Sequence, residues 1–229
     1  MFHFALVLLA TAHAATPVAA DLKPQQAVYA VTRDGQVIGE ATYSLAPAGD
    51  GVWTLESVTR GSAGMAKLVG LDVHEQSTFR WDHGAAEGLH YDYRQDAAIK
   101  HKRRTIDFDW RAGEAHVRDN GKDFRYAITP GTIDRNTVAL ALGTALAAGA
   151  RTATLAVAQK DHLEQQRFEV QAEESVSVPA GTFRTRRVER TDAAGKARSW
   201  YAPEVGLLPL RLEQTQGDGS TIVLELRRR

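Results

Sequence analysis

The side chains in this sequence best equipped for chemistry are its histidines and a pair of aspartates two residues apart. Of eight histidines, His3 and His13 fall in an apolar leader, and His74, His83, His90, His101, His116 and His162 in the body of the chain. Two imidazoles share a zinc ion from one helix face when they stand four apart, as in H-x-x-x-H or H-E-x-x-H. No pair here has that spacing, and the chain has no cysteine to supply a thiolate. His83 falls in a turn pattern and His90 on the polar side of a strand pattern. Neither a metal nor any other cofactor is expected.

Asp107 and Asp109 alternate with Ile106, Phe108 and Trp110 in "IDFDW". On one strand face they lie about 6–7 Å apart by rise, a separation that suits a glycosidase carboxylate pair. The same alternation makes them the solvated face of an amphipathic strand, and no catalytic residue is assigned. Glu173 and Glu174 read as solvated edge residues. The chain has no G-x-S-x-G elbow, no glycine-rich phosphate loop and no dinucleotide fingerprint. An enzyme is the least expected class. It stays open as an enzyme of envelope polysaccharide centred on Asp107, Asp109 or a histidine.

The elements that must position these residues are mostly strands, because period two runs through most of the chain. Tyr29 and Val31 share a face, Asp34-Gly35 is a hairpin signal, and Ala41, Tyr43 and Leu45 line the returning strand. "STFRWD", "LHYDYR" and "RRTIDFDW" alternate in the same way. "GSAGMAKLVG" loosens the pattern and reads as a short helical or mobile excursion. "KHKRR" at 100–104 reads as a solvated turn or edge, and "RRR" at 227–229 as a solvated tail. One segment, "TIDRNTVALALGTALAAGA", breaks the period. Val138, Leu142, Ala145 and Leu146 recur at helical spacing, Asp134 is placed to cap the start and Gly149 to end it. The sum is ten to twelve strands with short turns and one helix over about residues 134–148.

The apolar run from Phe4 to Ala10 followed by Ala12-His13-Ala14 has the form of a cleaved signal peptide over residues 1–14. Residues 15–229 are then expected as a single β-rich domain, exported to a periplasm. Acidic and basic residues balance at 28 each, which gives no pull toward nucleic acid. No later stretch is long and apolar enough for an integral membrane segment.

Ten strands and one helix of about fourteen residues pose an area problem. A helix that short cannot cover the apolar face of so many strands. Self-closure, a second sheet, a partner or a ligand must cover the rest. The expected fold is mainly β: a large curved antiparallel sheet or open β-barrel, with the helix packed on its concave side. Such sheets hold small apolar ligands, and Phe79, Trp81, Tyr91, Tyr93, Ile106, Phe108, Trp110, Leu142 and Leu146 are the expected lining. In "SWYAPEVGLLPLRLEQ", Pro203 and Pro209 frame a strand-to-strand connection. Leu208, Leu210 and Leu212 share a face, and Trp200 and Tyr201 are candidate rim residues. The reading is a binding or carrier protein for a lipid, an acyl chain or another apolar envelope ligand, with polar residues at the mouth for the head group. The alternative is a structural or assembly module of the envelope that binds a protein partner.

Several pieces in this order, "YAVTRDGQVIGEATYSL", "ESVTRG", "STFRWDHG", "LHYDYR", "KRRTIDFDW", "VPAGTFRTRRVERTD" and "WYAPEVGLLPLRLE", resemble the DUF3108 family of uncharacterised exported bacterial proteins. The resemblance covers about Tyr29 to Leu226 and implies export but no activity or catalytic residue. More loosely, "QSTFRWDHG" and "YDYR" are similar to hairpins of the periplasmic lipoprotein carriers. That likeness implies an incomplete barrel with a helical lid over an acyl-chain cavity, although a single clear helix departs from it.

Overall fold

The computed structural model describes residues 21–229 except 99, 194–196 and 203–204, so the expected leader and Pro203 lie outside the described residues. The strands of the first half are β1 (Gln25–Arg33), β2 (Gln36–Gly49), β3 (Val52–Gly61), β4 (Asp72–Asp82), β5 (Ala85–Ala97), β6 (Lys100–Asp109), β7 (Glu114–Asp119) and β8 (Lys122–Ala127). Those of the second are β9 (Thr152–Ala158), β10 (Leu163–Val178), β11 (Gly181–Arg190), β12 (Ala197–Tyr201), β13 (Arg211–Thr215) and β14 (Thr221–Arg228). The helices are α1 (Gly64–Leu68) and α2 (Val138–Ala147).

All fourteen strands form one sheet in the order β8-β7-β6-β5-β4-β3-β2-β1-β14-β13-β12-β11-β10-β9. Each half is an antiparallel meander, and the two halves join where β1 pairs with β14. Two-residue turns hold the meander in register. Asp34-Gly35 and Asn120-Gly121 each place two successive residues at positive φ, the backbone that lets a tight turn follow the right-handed twist of its strands. The free edges are β8 and β9, and the link between them carries α2.

Register sorts side chains onto two faces. One inner row runs Leu45, Leu55, Ser77, Tyr91, Ile106, Val117 and Phe124 through directly paired positions of β2 to β8. Of these, Leu45, Leu55, Tyr91, Ile106 and Val117 are buried core residues. On the opposite face of the other half, Arg187, Glu189, Arg198, Glu213, Arg211 and Glu225 form a chain of ion pairs of alternating sign within and between β11 to β14.

The seam between β8 and β9 is spanned without a ladder. The Tyr126 hydroxyl donates to the Gln159 carbonyl at 2.6 Å, and Lys160 Nζ lies 3.5 Å from Asp119 Oδ2. Residues 129–137 form a strap across the gap. Ile133 makes a parallel bridge with Val157, donating to Ala156 O and accepting from Ala158 N. The strap's Thr132 O accepts from Gly88 N on β5.

The chain then turns inward as α2. Its residues Leu140, Ala141, Leu142, Gly143, Thr144 and Leu146 are all buried, and it carries no charged residue. A helix that is apolar on every side belongs inside a protein, and α2 occupies the trough of the curved sheet. The expected curved sheet with one packed helix is the observed architecture. The structure adds strands to the expected count and a short second helix in "GSAGMAKLVG". The helix starts at Val138, later than expected, because the Asp134 carboxylate accepts from the backbone N–H groups of Asn136 and Thr137 and so orders the turn before it. Gly149 ends it in the left-handed conformation, donating to Leu146 O. "KHKRR" is part of β6 rather than a turn, since its backbone pairs with β5 while the side chains of Lys100 to Arg103 stay exposed and Arg104 turns to the inner face.

Candidate functional site

The trough is filled by protein. Tyr91, Ile106 and Phe108 belong to one buried cluster with Ala115, Val117 and Ala158, and Tyr93 and Trp110 pack against it. Phe79 is buried in the main cluster beneath the strap, with Trp81 at its margin. Leu142 and Leu146 pack against Phe168, Val188 and Tyr201. The nine residues expected to line one cavity are thus split among three clusters, because α2 and the strap run between them. A cleft lined by Leu142, Leu146, Ala153, Phe168, Val170 and Val188 retains about 10 Å³ at the C-terminal end of α2. That is no more than a single water needs.

Three contacts seat α2. A Cβ on Gly143 would fall on the Leu207 carbonyl, so only glycine allows the helix this close to the β12–β13 connection. The Tyr201 hydroxyl donates to Ala139 O at 3.0 Å, and Arg186 Nη1 donates to Leu146 O at 3.1 Å. Neither candidate rim residue lies at a rim. Tyr201 is buried against the helix. Trp200, its neighbour on the strand, is buried on the other face, under the Arg211 guanidinium at 5.3 Å and donating through Nε1 to Glu174 at 2.7 Å. Alternation along a strand dictates that adjacent residues face opposite ways. Tyr201→Phe is expected to lower stability by about 1 kcal/mol, the net worth of one buried hydrogen bond. Urea denaturation measures it, and an unchanged midpoint would mean the contact does not hold the helix.

At the start of α2 a polar cluster is buried in the core. Asp134 accepts from Ser77 Oγ at 2.7 Å, Asn136 N at 2.9 Å, Thr137 N at 3.2 Å and Thr137 Oγ1 at 3.1 Å. Asn136 Nδ2 donates to Leu55 O and to Ser77 Oγ. These bonds tie the strap to β3 and β4. Burial drives the Asp134 carboxyl up to about 6, against the pull of its hydrogen bonds. The spacing of "TIDRNT" reads as a helix start, and nothing in it signals that Asp134 would be buried.

One row further along the inner face the lining turns polar. Tyr43, Ser57, Glu75, Tyr93, Arg104 and Asp119 stand directly opposite one another on β2 to β7. Arg135 of the strap reaches this belt, donating to Glu75 Oε2 and the Tyr91 hydroxyl, each at 2.9 Å, and lying 4.5 Å from the Tyr93 ring centre. The Tyr91 hydroxyl also donates to Glu75 at 2.5 Å. Burial pushes the Tyr43 hydroxyl up to about 12, with Glu75 adding to the effect. Arg104 pairs with Asp119 at 2.8 Å, and Lys160 joins them from beyond the seam. Three cations, Arg104, Arg135 and Lys160, thus meet two carboxylates, Glu75 and Asp119. Arg135 remains open to solvent.

The outer face of β6 to β8 carries a cleft of about 530 Å³ lined by Thr105, Asp107, His116, Arg118, Asp123 and Arg125. Asp107 bonds His90 Nδ1 at 2.7 Å, and Arg118 pairs with Asp123 at 2.9 Å. Asp109 is turned to another task, accepting from the backbone N–H groups of Arg111 and Ala112. The two aspartates thus make separate contacts, Asp107 with His90 and Asp109 with the turn that follows it. Among the described residues no group of three or more histidines and carboxylates is arranged to hold a metal.

A sheet that curls around its own helix and leaves two strand edges bridged by a strap defines an open, barrel-like β protein. The chain belongs to the family described as a protein of unknown function, DUF3108, whose model matches residues 28–227. No curated protein matches the sequence. Among solved structures it is similar to a beta-barrel-like protein of domain of unknown function DUF1849 from Brucella abortus. Identity is 13%, over 89% of this chain and 95% of that one, with a TM-score of 0.48. It is also similar to a Bacteroides fragilis protein described as exported and as having a YmcC-like fold, at 11% identity over 89% and 93% of the two chains, with a TM-score of 0.29.

Proposed function

We propose that this is a non-enzymatic binding protein of the exported compartment that takes an apolar chain of a lipid or other envelope component into the trough now filled by α2. The observation that carries the reading is the helix itself. It is chargeless, lies in the concavity of a sheet with an unladdered seam, and meets the sheet through interchangeable apolar surface at Leu142, Leu146, Phe168 and Val188. An acyl chain would bury the same sheet surface at about 25 cal/mol per Å². The polar belt beside the trough, with one cation more than its carboxylates, suits an anionic head group such as a phosphate or carboxylate, with Arg135 as the exposed contact. Of the expected lining, Leu142 and Leu146 would leave with the helix, and Phe79, Tyr91, Ile106 and Phe108 would become accessible only if the strap moved as well.

The close packing of the interior favours a second reading, an envelope module that acts through its surface and keeps α2 in place. Purification of the protein from its native compartment, followed by mass spectrometry of bound lipid and titration with an apolar fluorescent probe, separates the two. The carrier reading expects stoichiometric lipid or saturable probe uptake. Absence of both would leave the surface-acting module.

A further inference from the structure

Two stretches that look unrelated in sequence, "GMAKL" and "KHKRR", are brought together at one corner of the sheet. Ser62 N and Ala63 N donate to Ile38 O of β2, and Ala98 N at the β5–β6 turn donates to Val69 O just after α1. The helix is held by its backbone on both sides, yet none of its residues is buried. Met65 and Leu68 are 69% and 79% exposed, and Val37 on the neighbouring strand is 56% exposed. Among the described residues these are the exposed large apolar side chains, and they lie on this one corner. Lys67 lies on α1 itself, and Lys100 and Lys102 begin β6 just past the turn that bonds Val69 O, all three exposed and none in an ion pair among the described residues. The nearby acids are engaged, Asp72 by Arg60 and Asp96 by His101 and Arg103.

We propose that this corner is a docking surface for an anionic bilayer. Met65, Leu68 and Val37 enter the interface between head groups and acyl chains, and Lys67, Lys100 and Lys102 meet lipid phosphates. The charge beside the apolar tip selects the occupant, since unpaired lysines on α1 and past the adjoining β5–β6 turn oppose a neutral protein partner and match a negative surface. No described helix is long and apolar enough to cross a membrane, so the contact is peripheral. It does not depend on the trough holding a ligand.

The test is co-sedimentation of the full chain with vesicles of phosphatidylglycerol and phosphatidylcholine, against vesicles of phosphatidylcholine alone. The double variant Met65→Ser, Leu68→Ser and the triple variant Lys67→Gln, Lys100→Gln, Lys102→Gln are compared with the parent, so that any contribution of the apolar leader is common to all. Binding to the anionic vesicles is expected to fall about tenfold or more in the serine variant and about a hundredfold in the lysine variant, at roughly fivefold per lysine, and to weaken with salt in the parent. Unchanged thermal melting would show that these surface changes leave the fold intact. Equal sedimentation of parent and variants, or no preference for anionic vesicles, would overturn the proposal. So would self-association of the parent that the serine variant abolishes without any change in vesicle binding.

Discussion

Asp134→Ala is expected to destabilise the protein by at least about 3 kcal/mol at neutral pH. It leaves the Ser77 and Thr137 hydroxyls and the Asn136 and Thr137 amides without their buried acceptor, and each unpaired buried donor costs about 1–3 kcal/mol. Asp134→Asn keeps the Oδ1 acceptor and places an amide where Oδ2 met the Thr137 hydroxyl, so it is expected to fold. The two variants differ most instructively in pH dependence. The folded carboxyl titrates near 6 against an ordinary 3.8, so the folded state holds its proton more tightly than the unfolded chain does. The resulting stability is fully present below about pH 4 and lost as pH rises through 6. The difference of about two units is worth about 3 kcal/mol. Carboxyls held down by arginines, such as Asp192 beside Arg190, act in the opposite sense. The measurement is therefore the difference between parent and Asp134→Asn in urea denaturation at pH 4 and pH 7. The asparagine variant should gain on the parent as pH rises. A constant difference would mean the buried carboxyl does not titrate in this window.

Gly143→Ala sets two effects of opposite sign against each other. In a helix interior alanine is favoured over glycine by about 1 kcal/mol. Here the added Cβ meets the Leu207 carbonyl oxygen and carbon, which are backbone atoms that cannot rotate away. Overpacking of this kind costs about 1–3 kcal/mol, so a net loss of up to about 2 kcal/mol is expected, together with a looser α2. If the trough accepts apolar chains, the variant should take up an apolar fluorescent probe more readily than the parent while its strand signal in circular dichroism persists. A gain in stability would show that the helix is not clamped at this point.

Much of the fold was legible because local physics decided it. Alternation in "RRTIDFDW" separates Ile106 and Phe108 from Asp107, and these residues lie inside and outside as that alternation requires. Asp34-Gly35 turns where a two-residue hairpin demands it, and the loss of alternation after Thr137 marks α2. What was not legible is non-local. Pairing of β1 with β14 joins the first and last strands, and no short-range pattern encodes it. The strap looked like the beginning of the helix because Asp134 has the chemistry of a cap. Its burial depends on Ser77, 57 residues earlier in the chain. Aromatic content and strand face place Phe79, Tyr91 and Phe108 inside, but no local pattern reveals that the helix fills the space between them. Trp200 and Tyr201 are adjacent on β12, so alternation sends them to opposite faces and they cannot share one rim.

The central claim is that α2 occupies a place an apolar ligand can take. Hydrogen exchange of the α2 amides, Val138–Ala147, with and without saturating lysophospholipid tests it most directly. Displacement predicts that these amides lose protection when lipid is added, while those of β4 to β6 stay protected. Bound lipid with α2 fully protected, or no bound lipid at any concentration below micelle formation, would contradict it.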